Sequence, residues 1–290
     1  MTSADPFDAS VRIARASKSP MERAAAGLDP VRYRIFCAAY ASMRVIDDFV
    51  DDDFLAGAPD VRARERAAAQ ATVRQWRDAA VAALELGAAP APDDRFRETQ
   101  IGLAAIQPLA SLDPDPWRRL AGAMSRDVAE APMADWPAFL DYAEGASAAP
   151  AAVFVDILGL TPGPDGRLRS RLPGAAVDRI RNSAILLYLV HIMRDLAADA
   201  AKGDVLLTLP ATLFQELGHD GEGFAAAVRD DPDLLAAARA RIADYAGRFL
   251  LPALGELAAL DQALDPADAA ILRGLCEPYI ARYEEFAADL

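Results

Sequence analysis

The feature that most constrains this sequence is an apolar stripe, between Phe36 and Val50, that also carries acidic residues. Large apolar side chains recur there at the three- and four-residue spacing of one helix face: Phe36, Tyr40, Met43, Ile46 and Val50. Asp47 and Asp51 fall on the same face, four residues apart. A helix would point both carboxylates inward, which is costly unless they are paired, hydrogen-bonded or bound to a cation. The alternative for this run alone is an acidic helix end that frays into water.

A second predicted helix repeats this arrangement. It covers about residues 175–201 and is apolar on nearly every side over 184–193, as is typical of the middle of a bundle. One of its faces carries, at steps of three and four residues, Tyr188, His191, Asp195 and Asp199. Two such acidic pairs on two buried helices predict a cavity in a helical bundle, with carboxylates facing each other across it.

The residue types at these positions favour Mg²⁺ over other chemistries. A di-iron bundle needs Glu-x-x-His pairs on facing helices, and the chain has only two histidines, His191 and His219. Zinc ligands at useful spacing are lacking, and nothing in the sequence pairs a serine or cysteine with a histidine base. Oxygen ligands favour Mg²⁺, which takes one or two carboxylates and completes its shell with water and substrate phosphates. An apolar cavity with Mg²⁺ at its rim suits a lipid diphosphate.

Composition and charge limit the fold class and the partners. Strand-like alternation is almost absent from the 290 residues, 53% of them hydrophobic, so we expect an all-α protein. The net charge of −14 and the lack of a basic stripe argue against nucleic-acid binding. Two cysteines, Cys37 and Cys276, are too few for a disulfide framework and favour a reducing, cytoplasmic setting. The sequence shows no signal-peptide core and no membrane-spanning run; peripheral membrane contact and the oligomeric state stay open.

Along the chain, proline, glycine and capping residues predict helices and loops rather than a domain boundary. Residues 1–16 are expected to form a polar, flexible arm, followed by a helix from Pro20 that Ser17 or Ser19 could cap. The stretch 161–173 is predicted to be a loop, because its proline and glycine content is the densest. Further helices are predicted over about 31–50, 60–86, 95–111, 114–130, 136–159, 232–263 and 266–288. We therefore expect residues 1–290 to form one all-helical domain.

Both acidic runs resemble motifs of a known family. The run 40–52, YASMRVIDDFVDD, resembles the first aspartate-rich motif of the squalene/phytoene synthase family, and the run 188–199, YLVHIMRDLAAD, resembles its second. Residues 17–19, Ser-Lys-Ser, are similar to the family's N-terminal serine segment. The stretch 124–142 is similar to the family's middle helix region, with Asp127 at the matching acidic position. Together the two motifs are specific, whereas either alone is weak.

The resemblance implies an all-α isoprenoid-synthase fold and head-to-head condensation of two prenyl diphosphates, with Mg²⁺ and loss of diphosphate. It implies that Mg²⁺ and diphosphate are held by Asp47, Asp51, Asp195 and Asp199, with Asp48 in support. Phosphate oxygens would be contacted by Arg44, Ser17 and Ser19. Further substrate contacts are expected from Tyr40, Tyr188, His191 and Arg194. The alternative is that the two arginines only neutralise neighbouring aspartates and that the rings are core residues.

The chain departs from the family pattern at the second motif and in two further stretches. Tyr188, His191 and Ala198 stand where the family usually has Gln, Asn and Glu, and the stretches 144–153 and 204–210 also differ. These differences fall where the second prenyl chain would lie, so the substrate pair and the product stay open. One alternative is the transfer of one prenyl group to a different small-molecule acceptor. Another is a non-catalytic lipid-binding or assembly protein with the same fold.

Overall fold

The computed structural model describes residues 5–202, 206, 208–219, 221 and 223–288. This part of the chain forms thirteen α-helices: α1 (Asp8–Ser17), α2 (Pro20–Ala25), α3 (Pro30–Asp48), α4 (Pro59–Leu86), α5 (Arg97–Ala104), α6 (Asp115–Ala129), α7 (Trp136–Ala143), α8 (Ala149–Leu158), α9 (Arg181–Lys202), α10 (Ala211–Glu216), α11 (Phe224–Asp230), α12 (Pro232–Ala263) and α13 (Pro266–Ala287). Two π-helical segments, Phe49–Leu55 and Glu144–Ala148, and a 3₁₀ turn, Val177–Arg179, complete the helical structure. The predicted all-α fold is confirmed.

Three short strands form a small sheet beside the helices. β1 (Ala110–Ser111) pairs in parallel with β3 (Leu168–Ser170), which pairs antiparallel with β2 (Leu160–Pro162). The predicted helix over 95–111 is therefore too long, and part of the predicted loop over 161–173 is a hairpin. The cause is tertiary, since the Arg167 guanidinium donates to the Ala110 carbonyl (3.0 Å) and ties the two stretches together.

The predicted flexible arm is wrong for the residues that the structure describes, because α1 is a helix packed on α3 and α5. Residues 1–4 of that prediction lie outside the described part. Phe7, Ser10 and Ala14 are buried on the packed face of this segment. The approach to α5 is so close that a Cβ on Gly102 would lie 2.5 Å from the Ser10 hydroxyl oxygen. The segment is polar in composition, but its buried residues keep the spacing of a helix face.

Side-chain caps followed by proline set the starts of α2 and α3. The Ser19 hydroxyl and the Asp29 carboxylate accept hydrogen bonds from the first free backbone N–H groups, and Pro20 and Pro30 occupy the first helical turn. At its end α3 continues as the first π-helical segment. The predicted helix over 136–159 is likewise α7, the second π-helical segment and α8.

The central position predicted for the helix with the second acidic pair is confirmed. α9 packs against α11, α12, α13 and the second π-helical segment, and its apolar residues Ile185, Leu186, Leu189 and Met193 are fully buried. No helix in the described ranges is long and apolar enough to cross a bilayer.

The start of α9 is anchored by a carboxylate from α12. Glu256 accepts hydrogen bonds from the backbone N–H groups of Asn182 (3.0 Å) and Ser183 (2.8 Å). It also accepts from the Asn182 side-chain amide (2.6 Å) and the buried Ser183 hydroxyl (2.9 Å). A negative charge at a helix N-terminus is favourable, and two of the four bonds satisfy backbone N–H groups that the helix leaves without partners. This contact fixes the helix that carries the second acidic pair.

Glu256→Ala is expected to lower the free energy of unfolding by about 2 kcal/mol, because it leaves the backbone N–H groups of Asn182 and Ser183 at the start of α9 without this acceptor. Urea denaturation followed by circular dichroism measures the change. Glu65→Ala, at an exposed position of α4, is the control and is expected to change stability by less than about 0.5 kcal/mol. Equal stability of the two variants would contradict the anchoring role.

Candidate active site

A cavity of about 370 Å³ lies between α2, α3, α8, α9 and α13. Its volume is in the range of small-molecule sites. Apolar side chains form most of its wall, among them Phe36, Met43, Val153, Phe154, Leu187 and Leu272. The apolar cavity predicted from the two helices is therefore present.

Six of the residues predicted to bind substrate or metal line this cavity: Ser19, Tyr40, Arg44, Asp47, Tyr188 and His191. They come from α3 and α9 and from the residue that caps α2. Tyr40 also stacks on Phe36, with ring centroids 5.4 Å apart. The tyrosines thus combine packing with a position at the cavity wall.

The remaining predicted residues lie outside the cavity wall as the structure describes it. Asp48, Asp51, Asp195 and Asp199 belong to the helix ends beside it. Ser17 donates its hydroxyl to the Ala14 carbonyl (2.6 Å) at the end of α1. Arg194 lines a neighbouring groove together with Arg23. Ser19, Arg44 and Asp47 therefore line one cavity, whereas Asp195 and Asp199 of the second acidic pair are not among its lining residues.

Asp47 is the carboxylate of the first pair that reaches the cavity. Burial, followed by the charge of Asp51, raises the pKa of Asp47 to about 6, and Arg44 opposes this shift. Arg44 forms ion pairs with Asp47 (Nη1···Oδ2 3.2 Å) and with Asp48. Asp51 lies on the first π-helical segment, where burial and then Asp52 raise its pKa. The carboxylates here are crowded, and their ionised forms repel one another.

Asp195 of the second pair is contacted by residues of its own helix. Arg194 donates two hydrogen bonds of 2.7 Å to Asp195. The His191 ring lies 3.0 Å from Asp195 through Nε2 and 3.1 Å from Arg194 through Nδ1. Burial, and then the Arg194 charge, lowers the pKa of His191, so the neutral ring donates to Asp195 and accepts from Arg194. The charge of Asp199 also raises the pKa of Asp51, after burial and the charges of Asp52 and Asp48, so one carboxylate of each acidic pair acts on the other.

The donors at this site fit Mg²⁺ that is bound together with phosphate. In the chain as described, no three carboxylate, histidine or cysteine side chains lie close enough to form a metal site by themselves. Asp47 and Asp51 nevertheless offer two oxygen ligands whose mutual repulsion a divalent cation would relieve. Mg²⁺ commonly takes one or two carboxylates and fills its shell with water and phosphate oxygens.

Several residues that the sequence analysis does not assign to the site belong near it. Tyr142 on α7 donates a hydrogen bond to the buried Asp127 on α6 (3.1 Å), and burial raises the pKa of Asp127 to about 7. Cys276 and Tyr279 of α13 line the cavity. The sequence could have indicated Asp127 as a site residue, since it is an acidic residue on the apolar face of a helix, like Asp47. The sequence could not have indicated Cys276 and Tyr279, because both residue types are common in ordinary packing.

Comparisons with known proteins agree with this architecture. The model of the squalene/phytoene synthase family matches residues 14–285. The crystal structure of squalene synthase HpnC from Alicyclobacillus acidocaldarius superposes with a TM-score of 0.70 at 19% identity, over 98% of this chain and 94% of that one. A dehydrosqualene synthase in complex with ligand gives a TM-score of 0.65 at 15% identity, over 95% and 86%. These two likenesses concern the fold. A sequence search of curated proteins gives no significant match.

Asp127→Asn is expected to reduce the loss of stability that the protein shows as the pH rises. An unfolded aspartate loses its proton near pH 4, whereas Asp127 in the fold keeps its proton up to about pH 7. Between these values the native state binds more protons than the unfolded state, so the free energy of unfolding falls with pH. The amide cannot titrate, which removes this contribution.

Urea denaturation of both proteins at pH 5, 6, 7 and 8 measures the effect. Asp93→Asn, at an exposed position, is the matched control and is expected to leave the pH dependence unchanged. A decline as steep in Asp127→Asn as in the unsubstituted protein would show that this carboxyl is not responsible.

Proposed function

The chain belongs to the squalene/phytoene synthase family, a family of prenyl-transferring enzymes, and we propose that it condenses two prenyl diphosphates head to head with release of diphosphate. The observation that carries the proposal is the combination of apolar walls and an acidic, arginine-bearing region in one cavity. A prenyl diphosphate has the same two parts, an apolar chain and an anionic head.

We assign the head group to the region of the cavity around Arg44, Asp47 and Ser19. Asp47, Asp51, Asp195 and Asp199 would hold Mg²⁺ there, with Asp48 in support, and the bound ion would draw charge onto the departing diphosphate. Arg44 and the Ser19 hydroxyl are donors suited to phosphate oxygens. This arrangement also offsets the chain's overall negative charge at the point where an anion must bind.

The apolar part of the cavity would receive the prenyl chains and shield the reacting carbon atoms from water. Phe36, Tyr40 and Phe154 form an aromatic cluster, with Phe36 stacked on Tyr40 and edge-on to Phe154 at 5.7 Å. The faces of such rings attract a cation. The small residues Ala146 and Ala151 also line the cavity.

Farnesyl or geranylgeranyl diphosphate, supplied alone with MgCl₂, is expected to give a C30 or C40 product and diphosphate. Product is measured by mass spectrometry and diphosphate by a coupled assay. Asp47→Asn is expected to lower kcat by about 10²- to 10³-fold, the size of effect seen when one group that stabilises developing charge is removed. Asp53→Asn is the control, because Asp53 is exposed and paired with Arg95 (2.5 Å) at the far end of the acidic run.

The outcomes of this assay separate the alternatives. A product that appears only when an aromatic or other small-molecule acceptor is added would favour transfer of one prenyl group over condensation. The absence of diphosphate release with every prenyl donor would favour a non-catalytic lipid-binding protein.

MgCl₂ together with diphosphate is expected to raise the melting temperature more at pH 7.5 than at pH 5.5. The pKa of Asp47 is raised to about 6, so protons compete with the metal ion at the lower pH. Differential scanning fluorimetry measures the shift without any turnover. The shift should be lost with EDTA and reduced in Asp47→Asn, and an equal shift at both pH values would argue against Asp47 as a ligand.

A further inference from the structure

A cluster of three charged side chains joins the end of the first π-helical segment to the end of α6. Arg62, in the first turn of α4, donates to the carbonyl oxygens of Leu55 (3.4 Å) and Gly57 (2.6 Å). Arg66, one turn further along α4, donates to a backbone carbonyl in the last turn of α6 (3.1 Å). Glu130 accepts from both arginines, from Arg62 through Oε1 (2.9 Å) and from Arg66 through Oε2. We call Arg62, Arg66 and Glu130 the clamp.

The clamp provides partners for polar groups at two helix ends. The last carbonyl groups of a helix have no donor within the helix, and a cation is favourable beside them. One arginine of the clamp serves each end. The side chains of Arg62 and Glu130 are only 20% and 23% exposed, so either charge would be costly without the other. The hydrogen bond from Arg62 is the main cause that lowers the pKa of Glu130, and Arg66 adds to it.

The backbone of Glu130 indicates that its side chain has a role at this position. Glu130 ends α6 with a φ of 51°, in the left-handed region. Glycine usually occupies such a position, because side chains are strained there. Other residues persist in this region where the surrounding contacts over-determine them, and they cluster at functional sites. The bonds to Arg62 and Arg66 are contacts of this kind.

The two helix ends that the clamp joins carry carboxylates of the candidate active site. Asp51 lies on the π-helical segment, four residues before Leu55, and Asp127 lies on α6, three residues before Glu130. The two carboxylates act on each other, since the charge of Asp51 adds to the effect of burial in raising the pKa of Asp127. A shift of the segment against α6 would therefore move Asp51 relative to Asp127.

We infer that the clamp positions Asp51 for its part in binding Mg²⁺ together with diphosphate. The inference rests on the proposed function, in which Asp51 is one of the metal ligands. Mg²⁺ demands a nearly ideal octahedral arrangement of its ligands, so the position of each ligand matters. In the described part of the chain, none of the three clamp residues lines the cavity. They are positioning residues that act through the backbone of the segment.

Binding of inorganic diphosphate with MgCl₂ to the full chain, measured by isothermal titration calorimetry, tests the inference without turnover. Arg62→Met removes the donors to the segment. Glu130→Gly removes the carboxylate that holds Arg62, and glycine suits the left-handed backbone. Each variant is expected to weaken binding by about tenfold, the lower end of the effect of groups that orient metal ligands. The first variant removes a positive charge and the second a negative one, so a long-range effect of charge would change the two affinities in opposite directions.

Two control variants separate positioning from charge and from packing. Arg64→Met removes a charge from the same part of α4, where Arg64 is exposed and paired with Asp60 (2.9 Å). Gln70→Ala removes another bond between α4 and α6, from the Gln70 amide to the Ser125 carbonyl (2.6 Å), which does not reach the segment. Both controls are expected to change the affinity by less than about twofold. Circular dichroism at the temperature of the titration verifies that every variant is folded.

Each contrary result has a distinct meaning. Unchanged affinity in Arg62→Met or in Glu130→Gly would overturn the inference. Opposite changes in these two variants, or an equal loss in Arg64→Met, would also overturn it, because charge alone would then explain the effect. An equal loss in Gln70→Ala would overturn it in favour of general packing between α4 and α6. An unsubstituted protein that does not bind diphosphate with MgCl₂ would contradict the proposed function, and the inference with it.

Discussion

Repulsion between carboxylates at one side of an apolar cavity is the constraint on which the rest of this structure depends. Burial, and then the charge of Asp51, raises the pKa of Asp47 to about 6. Helices that carry such a group must be held by contacts elsewhere. On α3 the Ser42 carbonyl and hydroxyl accept hydrogen bonds from Trp76 (2.9 Å) and Trp117 (3.3 Å), and on α9 Glu256 anchors the helix start. These contacts away from the site therefore offset the electrostatic cost of placing the carboxylates close together.

The two π-helical segments also contribute to the site. π-helical turns are rare and occur mainly at functional sites, and here one carries Asp51 while the other supplies Ala146 and Ser147 to the cavity wall. Both segments pack against α6. A Cβ on Gly145 would lie 2.5 Å from the Arg119 carbonyl oxygen. Only glycine permits this approach, so the shape of the cavity wall depends on that one missing side chain.

Sequence spacing predicts the parts of the site that lie on long amphipathic helices. The acidic residues of α3 and α9 stand out because each interrupts an apolar stripe, and the structure places Asp47, Tyr188 and His191 on one cavity. Their roles towards metal and phosphate stay predictions. Spacing describes one element at a time, so it misses what two elements do together. The hairpin of β2 and β3 and the bond between Asp127 and Tyr142 both arise from such contacts.

The arginines next to the acidic pairs show why a sequence leaves their roles open. In the structure Arg44 pairs with Asp47 and Asp48, and Arg194 pairs with Asp195. A guanidinium binds a carboxylate and a phosphate through the same planar fork of donors. Under the proposed function, carboxylates that ligate a divalent cation no longer need an arginine, and the phosphate oxygens of the substrate do. The same arginine can thus neutralise an aspartate in one state of the site and bind a phosphate in the other. An arginine four residues or fewer from an aspartate that is proposed to bind the metal ion suits both.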